Sequence, residues 1–325
     1  MAVNRRELLI GGALAGLGLA GVSPGRAGEA PAEPERKQAV LKISSQEGAI
    51  PGKDLNKKLD KMEKWGIEGL EIGGAVGREK SLPEALKDRK IKVSAVCMGS
   101  LGGRLVSPDN AAREKAAEEL KRHLTAAGEV GSTGCIYVPC FNGEQDRNDQ
   151  EVRKLLAESE TGKDLAKVIG YRNAEIRKIA VDMLGPIGEH ALKCNTRVLL
   201  EPLNRGEAWF LRQVGDAAAI ARDCKNMGVC VMGDFYHMGI EEPSNMGAFI
   251  AGGQWLHHVH LASRSRVMPG QDKEDEANYL SGFRGLKHIG YQDFCSFECG
   301  CRGNKDEGIP KAVAFLREMW EKATI

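Results

Sequence analysis

The sequence has no surplus of charge of either sign. Its 46 Lys and Arg stand against 45 Asp and Glu, a net charge of +1 over 325 residues. That balance gives no electrostatic footing for nucleic acid or an anionic membrane surface, because phosphate contacts draw on clustered Lys and Arg. It also has no C-x-x-C pair. Its nine cysteines sit mostly inside apolar runs such as "VSAVCMG" and "GVCVMGD", where Cys packs as a small hydrophobe, so few or no disulfides are expected. The Cys299 and Cys301 of "FECGC" have no paired motif with which to build a zinc site. Seven histidines are too few to supply a cluster of three zinc ions readily. No stretch is long and apolar enough to read as a firm membrane span; the nearest, Leu8 to Val22, is short and diluted by Gly.

That stretch follows Arg5 and Arg6 and leads to small residues around Ala27, a pattern that resembles a twin-arginine export signal. The reading is a signal segment over 1–27, a polar linker "GEAPAEPERKQ" over 28–38 and one domain over 39–325. The expected location is the periplasm, with no stable membrane association once the signal is removed.

Past the linker, eight apolar runs alternate with amphipathic charged segments. The runs are "AVLKISS" (39–45), "GLEIGG" (69–74), "IKVSAVCMG" (91–99), "CIYVPC" (135–140), "RVLLEP" (197–202), "VCVMGDF" (229–235), "LHHVHLA" (256–262) and "DFCSFECG" (293–300). Segments such as "NAAREKAAEELKRHLTAAGEVG" carry helical periodicity, and several close on a Gly. Strand and helix in alternation imply parallel βαβ units, and eight of them imply an α/β fold of the (β/α)8 TIM-barrel type. A doubly wound sheet would place a Gly-rich phosphate turn after its first strand, and "ISSQEGAIPG" lacks that spacing. The charged stretch near 141–174 exceeds what a barrel loop needs and reads as a helical insertion.

In such a barrel, polar residues at the C-terminal strand ends belong to the site. Four consecutive runs end in metal-type ligands: Glu201, Asp234, His260 and Glu298. Any one carboxylate could be matched by a basic partner. Four together point to a divalent ion, and three carboxylates with one imidazole suit Mn²⁺, Mg²⁺ or Co²⁺ better than a thiolate-seeking metal.

The motifs "EPLNRGE", "GDFYHMGIEE" and "HVHLASRSRVMPG" resemble those of the D-tagatose 3-epimerase/D-psicose 3-epimerase group, within the xylose isomerase-like barrel superfamily. The resemblance implies a metal-dependent sugar epimerase or isomerase working through an enediolate. Its metal ligands would be Glu201, Asp234, His260 and Glu298, with Mn²⁺ the expected ion. Glu201 and Glu298 would double as the acid/base pair, and Glu207, His237 and Arg266 would hold the substrate near O1 and O2. A homo-oligomer is implied as well. The chemistry is coherent: a proton next to a carbonyl leaves only if the developing enediolate is stabilised, and two carboxylates on opposite faces can remove it on one side and return it on the other.

Some residues carry plainer readings. His258 is expected as a core imidazole below His260, and His257 as facing a helix; Glu241 and Glu242 read as a loop pair outside the site, and Glu71 is placed where it could reach the pocket. Trp209, Phe210 and Tyr236 read as packing. Two departures bear on substrate: "ASRSR" follows His260 where the family usually has an acidic residue and Asn, and "ISSQEG" lacks the aromatic residues that wall a ketose pocket. A lyase acting on 3-keto-glycosides, or an exported carbohydrate-binding barrel, are therefore the alternatives.

Overall fold

The computed structural model describes residues 37–142, 144 and 162–325. The expected signal segment, the linker as far as residue 36 and most of the charged insertion lie outside the described residues.

Eight strands close into one parallel barrel, ordered β1 to β8. They are β1 (Lys42–Gln46), β2 (Gly69–Ile72), β3 (Lys92–Gly99), β4 (Cys135–Tyr137), β5 (Val198–Leu200), β6 (Val229–Asp234), β7 (Leu256–Leu261) and β8 (Phe294–Phe297). Each expected run holds one strand; the first is displaced toward its C-terminus and ends on Gln46. Among the described residues the helices are α1 (Leu55–Trp65), α2 (Ser81–Leu86), α3 (Asn110–Glu129), α4 (Gly162–Lys193), α5 (Val214–Asp223), α6 (Phe235–Glu241), α7 (Asn245–Gly252), α8 (Asp275–His288) and α9 (Lys305–Lys322). None is long and apolar enough to cross a membrane.

Strands β5 and β6 alternate between two cores. Val198 and Leu200 of β5 and Val229 and Val231 of β6 join the large cluster beneath the helices. Their neighbours Leu199, Cys230 and Met232 form a small inner cluster with Ala95 and Ile136. Full burial of such aliphatic side chains contributes about 1.5–3 kcal/mol each, so this period-two pattern fixes which residues face the lumen. Asp234 and His260 pair in register at the mouth end of β6 and β7, one inward step above Met232 and His258, which pair below them.

Helix ends follow local chemistry. Asp54 and Asp109 cap α1 and α3 through their carboxylates, and Gly66 closes α1 in the left-handed conformation at φ 70°. Gly233 matters to the site: a Cβ there would lie 2.8 Å from the Phe249 ring and 2.9 Å from Met238 Sδ. Its bare backbone lets α6 and α7 close directly over the end of β6.

Candidate metal centre and sugar pocket

The four expected ligands converge at the C-terminal mouth. Asp234 is the last residue of β6 and lies opposite His260 of β7 in register. Glu201 and Glu298 directly follow β5 and β8, their backbone amides donating to the Tyr137 and Leu261 carbonyls. One ligand atom from each of the four lies within 4.8 Å of the others. His260 Nδ1 sits 3.1 Å from Glu298 Oε2, 3.6 Å from Glu201 Oε1 and 3.9 Å from Asp234 Oδ2.

Two atoms of this cluster test whether a cation fits. Asp234 Oδ1 is spent on capping α6, accepting from the Tyr236 amide at 2.7 Å, while Asp234 Oδ2 and His260 Nδ1 are buried with no hydrogen-bond partner. Leaving a buried polar atom unmet costs about 1–3 kcal/mol, and here both face the same point. Electrostatics agrees. Burial and then the Glu298 charge push Asp234 up to about 8, and burial raises Glu201 despite the compensating His260. Burial also opposes ionisation of Glu298, but His260 and then Arg266 outweigh it and hold the group down at about 2. The protein alone does not carry this much negative charge comfortably; a dication among these atoms would relieve it.

Beneath the cluster lies Glu71, fully buried. It accepts from His258 Nε2 at 2.9 Å, from His260 Nε2 at 3.0 Å and from Gln46 Nε2 at 2.8 Å. The same Gln46 amide reaches Glu298 Oε1 at 3.0 Å. His258 is thus a core imidazole, as expected, while Gln46 was not expected at all. His257, on the opposite face, bonds Asp293 at 2.7 Å just before β8.

The three expected substrate-holding residues roof the cluster. Asn204, two residues past Pro202, donates its backbone amide and its side-chain amide to His237 Nδ1, at 3.2 and 2.8 Å. Two donors on Nδ1, the nearer at 2.8 Å, favour the proton on Nε2, which lies 3.5 Å from Asp234 Oδ2 and 3.3 Å from Arg266 Nη1; burial, reinforced by Arg266, holds His237 neutral by lowering it to about 3. Asn204 Nδ2 also donates to Glu207 Oε1 at 2.9 Å, tying Glu207 to the same loop. Arg266 stacks on Tyr236 at 4.5 Å from the ring centroid and donates to Glu298 Oε2 at 2.6 Å. Its backbone is left-handed at φ 54°, a strain of about 1–2 kcal/mol for a non-glycine residue. The strain persists because a buried network holds the turn: Asp275 Oδ2 accepts from Ser263 Oγ, Gly270 N and Asp272 N. Tyr236, expected as packing, lies under the Arg266 guanidinium.

Glu241 and Glu242 stay outside, engaging Arg205 at 2.7 Å and the Val214 amide at 2.8 Å. Cys299 and Cys301 are free thiols and do not join the four-residue cluster.

The model of the xylose isomerase-like TIM barrel family matches residues 59–319. The chain belongs to that family. Among its relatives, the 3-dehydro-D-guloside 4-epimerase of Escherichia coli (strain K12) is 28% identical over 85% of this chain and 99% of its own. The D-psicose 3-epimerase of Enterocloster bolteae is 29% identical over 35% of this chain and 38% of its own. The crystal structure of a 3-keto-D-glucoside 4-epimerase from E. coli, in its apo form, superimposes with a TM-score of 0.70 at 25% identity, over 86% of this chain and all of that one. The family's barrel is therefore present with a complete acidic cluster at its mouth.

Proposed function

We propose that this chain is a divalent-metal-dependent epimerase of keto sugars that exchanges a proton at the carbon next to the carbonyl, with a 3-keto-glycoside as the favoured substrate. The convergence of Glu201, Asp234, His260 and Glu298, with two buried atoms unmet and aimed at one point, carries the reading. The keto-glycoside preference draws support from the extent of similarity. The likeness to the 4-epimerase of a dehydro-guloside runs nearly end to end, whereas that to the D-psicose 3-epimerase covers less than half of either chain.

A divalent ion held by those four residues, Mn²⁺ in this proposal, would stabilise the negative charge developing on the substrate's oxygens as a Lewis acid. The chain's own groups do the rest. Glu201, raised by burial above the ordinary carboxylate range, is suited to take and return a proton. Glu298, its oxygens held by Gln46 and Arg266, approaches from the strand on the other side of β6 and β7. His237 presents a neutral Nε2–H, a donor that strengthens as an adjacent oxygen gains charge. Arg266 can move its fork from Glu298 to sugar hydroxyls. Export by the twin-arginine route belongs to the proposal on the N-terminal sequence.

The test is proton exchange in D₂O followed by NMR, with Mn²⁺-loaded protein, 3-keto-glycosides and free ketoses. The expected result is deuterium entering next to the carbonyl with formation of the epimer and loss of both on chelation. Aglycone release in place of the epimer would sink the epimerase in favour of elimination; no exchange with stoichiometric metal bound would sink the catalytic reading. Arg266→Ala is expected to raise KM by about 10–150-fold, the worth of a charged hydrogen bond, at unchanged metal stoichiometry. Arg266→Gly should lose the same affinity yet melt higher than the Ala variant, since only glycine relaxes at that φ.

A further inference from the structure

Glu71 and Gln46 are not among the four converging residues, yet they hold two of them, His260 and Glu298. Glu71 lies at the mouth end of β2, opposite Gln46 of β1 in register. Its two oxygens receive four contacts: Oε1 from Gln46 Nε2 at 2.8 Å and His260 Nε2 at 3.2 Å, Oε2 from His258 Nε2 at 2.9 Å and His260 Nε2 at 3.0 Å. Every one of these partners is a donor. A carboxylate accepts on both oxygens and a glutamine cannot, so residue type as well as size is dictated here. The consequence falls on His260. With Nε2–H committed downward to Glu71, the lone pair of Nδ1 is left for the point shared with Glu201, Asp234 and Glu298. Gln46 uses its second amide hydrogen on Glu298 Oε1, so the same tether that fixes the imidazole also fixes a carboxylate arriving from β8.

We infer that Glu71 and Gln46 are positioning residues that set the tautomer and aim of His260 and the rotamer of Glu298, making one buried tether beneath the metal centre. The inference rests on the metal reading of the site given above. Outer partners of this kind commonly contribute 10–100-fold to metal affinity by fixing ring orientation and raising ligand basicity.

Equilibrium titration with Mn²⁺ alone, reading free Mn²⁺ by its EPR signal, separates the possibilities. Glu71→Gln keeps the size and all four direct ligands, and it is expected to bind Mn²⁺ about 10–100-fold more weakly than the parent. Gln46→Met, at a half-buried position, should weaken binding about 10-fold or more, the worth of a hydrogen bond to a charged group. It reads the same tether should Glu71→Gln fail to fold. In the Mg²⁺-loaded parent, ¹⁵N spectra of the histidines should show His260 protonated at Nε2 and not at Nδ1. Parental Mn²⁺ affinity in both variants, or the opposite tautomer, would overturn the tether while leaving the metal centre standing. A parent that binds no Mn²⁺ would overturn the metal reading itself, and the tether with it.

Discussion

Glutamine at position 201 or 298 is expected to abolish epimer interconversion, lowering kcat by about 10²–10⁴-fold at saturating Mn²⁺, the usual worth of a positioned acid or base. The sharper expectation concerns exchange. If Glu201 and Glu298 serve opposite faces of the substrate, each variant loses deprotonation from one face only. Glu201→Gln should still exchange the α-proton of one epimer with D₂O, Glu298→Gln that of the other, and neither should convert one into the other. Structural costs differ between the two. Glu201 carries few competing contacts, so its amide is tolerated. Glu298 accepts from Gln46 on one oxygen and Arg266 on the other, so an amide must set a donor against a donor on one side. One of these two partners should then be displaced, so KM should change only in the Glu298 variant. Near-parental turnover in either variant removes that residue from proton transfer. Loss of exchange with both epimers in both variants points to failed metal binding instead, which the Mn²⁺ titration resolves.

The barrel was legible because parallel strands buried on both faces read as short apolar runs with fixed spacing, and the four direct ligands because each ends such a run. The same signal was present for Gln46 and Glu71, polar residues at the ends of β1 and β2. Gln46 escaped because the apolar pattern of its strand ends one residue earlier, and amides are ordinary loop residues. What the pattern could not carry is hydrogen-bond polarity: that Glu71 faces donors only, or that Asn204 donates twice to His237 and so fixes its tautomer. Those relations join residues from distant parts of the chain, and spacing along one strand is silent on them. The left-handed backbone of Arg266 was equally hidden, since nothing in "ASRSR" marks which residue takes the strain. The structure also recasts the departure from the family at that motif. Ser263 is a buttress bonded to Asp275, while Arg264 and Ser265 are the exposed members of the turn.

Asp234→Asn is expected to lose Mn²⁺ affinity by more than the roughly 10–100-fold typical of an outer partner, and yet to stabilise the metal-free fold at neutral pH. The cap on α6 survives, because an asparagine Oδ1 can accept from the Tyr236 amide as the aspartate does. What disappears is a buried carboxyl that must take up a proton on folding at neutral pH. Burial and Glu298 raise Asp234 from 3.8 to about 8 in the folded protein, so its favourable contribution is complete below pH 4 and is lost as pH rises toward 8. Glu201 and His260, both raised, act in the same sense. Glu298, lowered to about 2, changes stability only between about 4.5 and 2, and His237, lowered to about 3, only below about 6.5. Between pH 6.5 and 8 the raised groups therefore dominate this cluster. The metal-free parent should melt progressively lower across that window, the Asn variant should show a shallower slope, and Mn²⁺ should restore the parent alone. Thermal melts at fixed ionic strength, with chelator and then with Mn²⁺, measure all three. Equal slopes for parent and variant would show that the metal-free cluster is already neutralised by another route, and the case for a dication at Asp234 would lose its electrostatic half. The expected trade is physical: charges that crowd one another in the empty barrel are the ones a dication needs to find there.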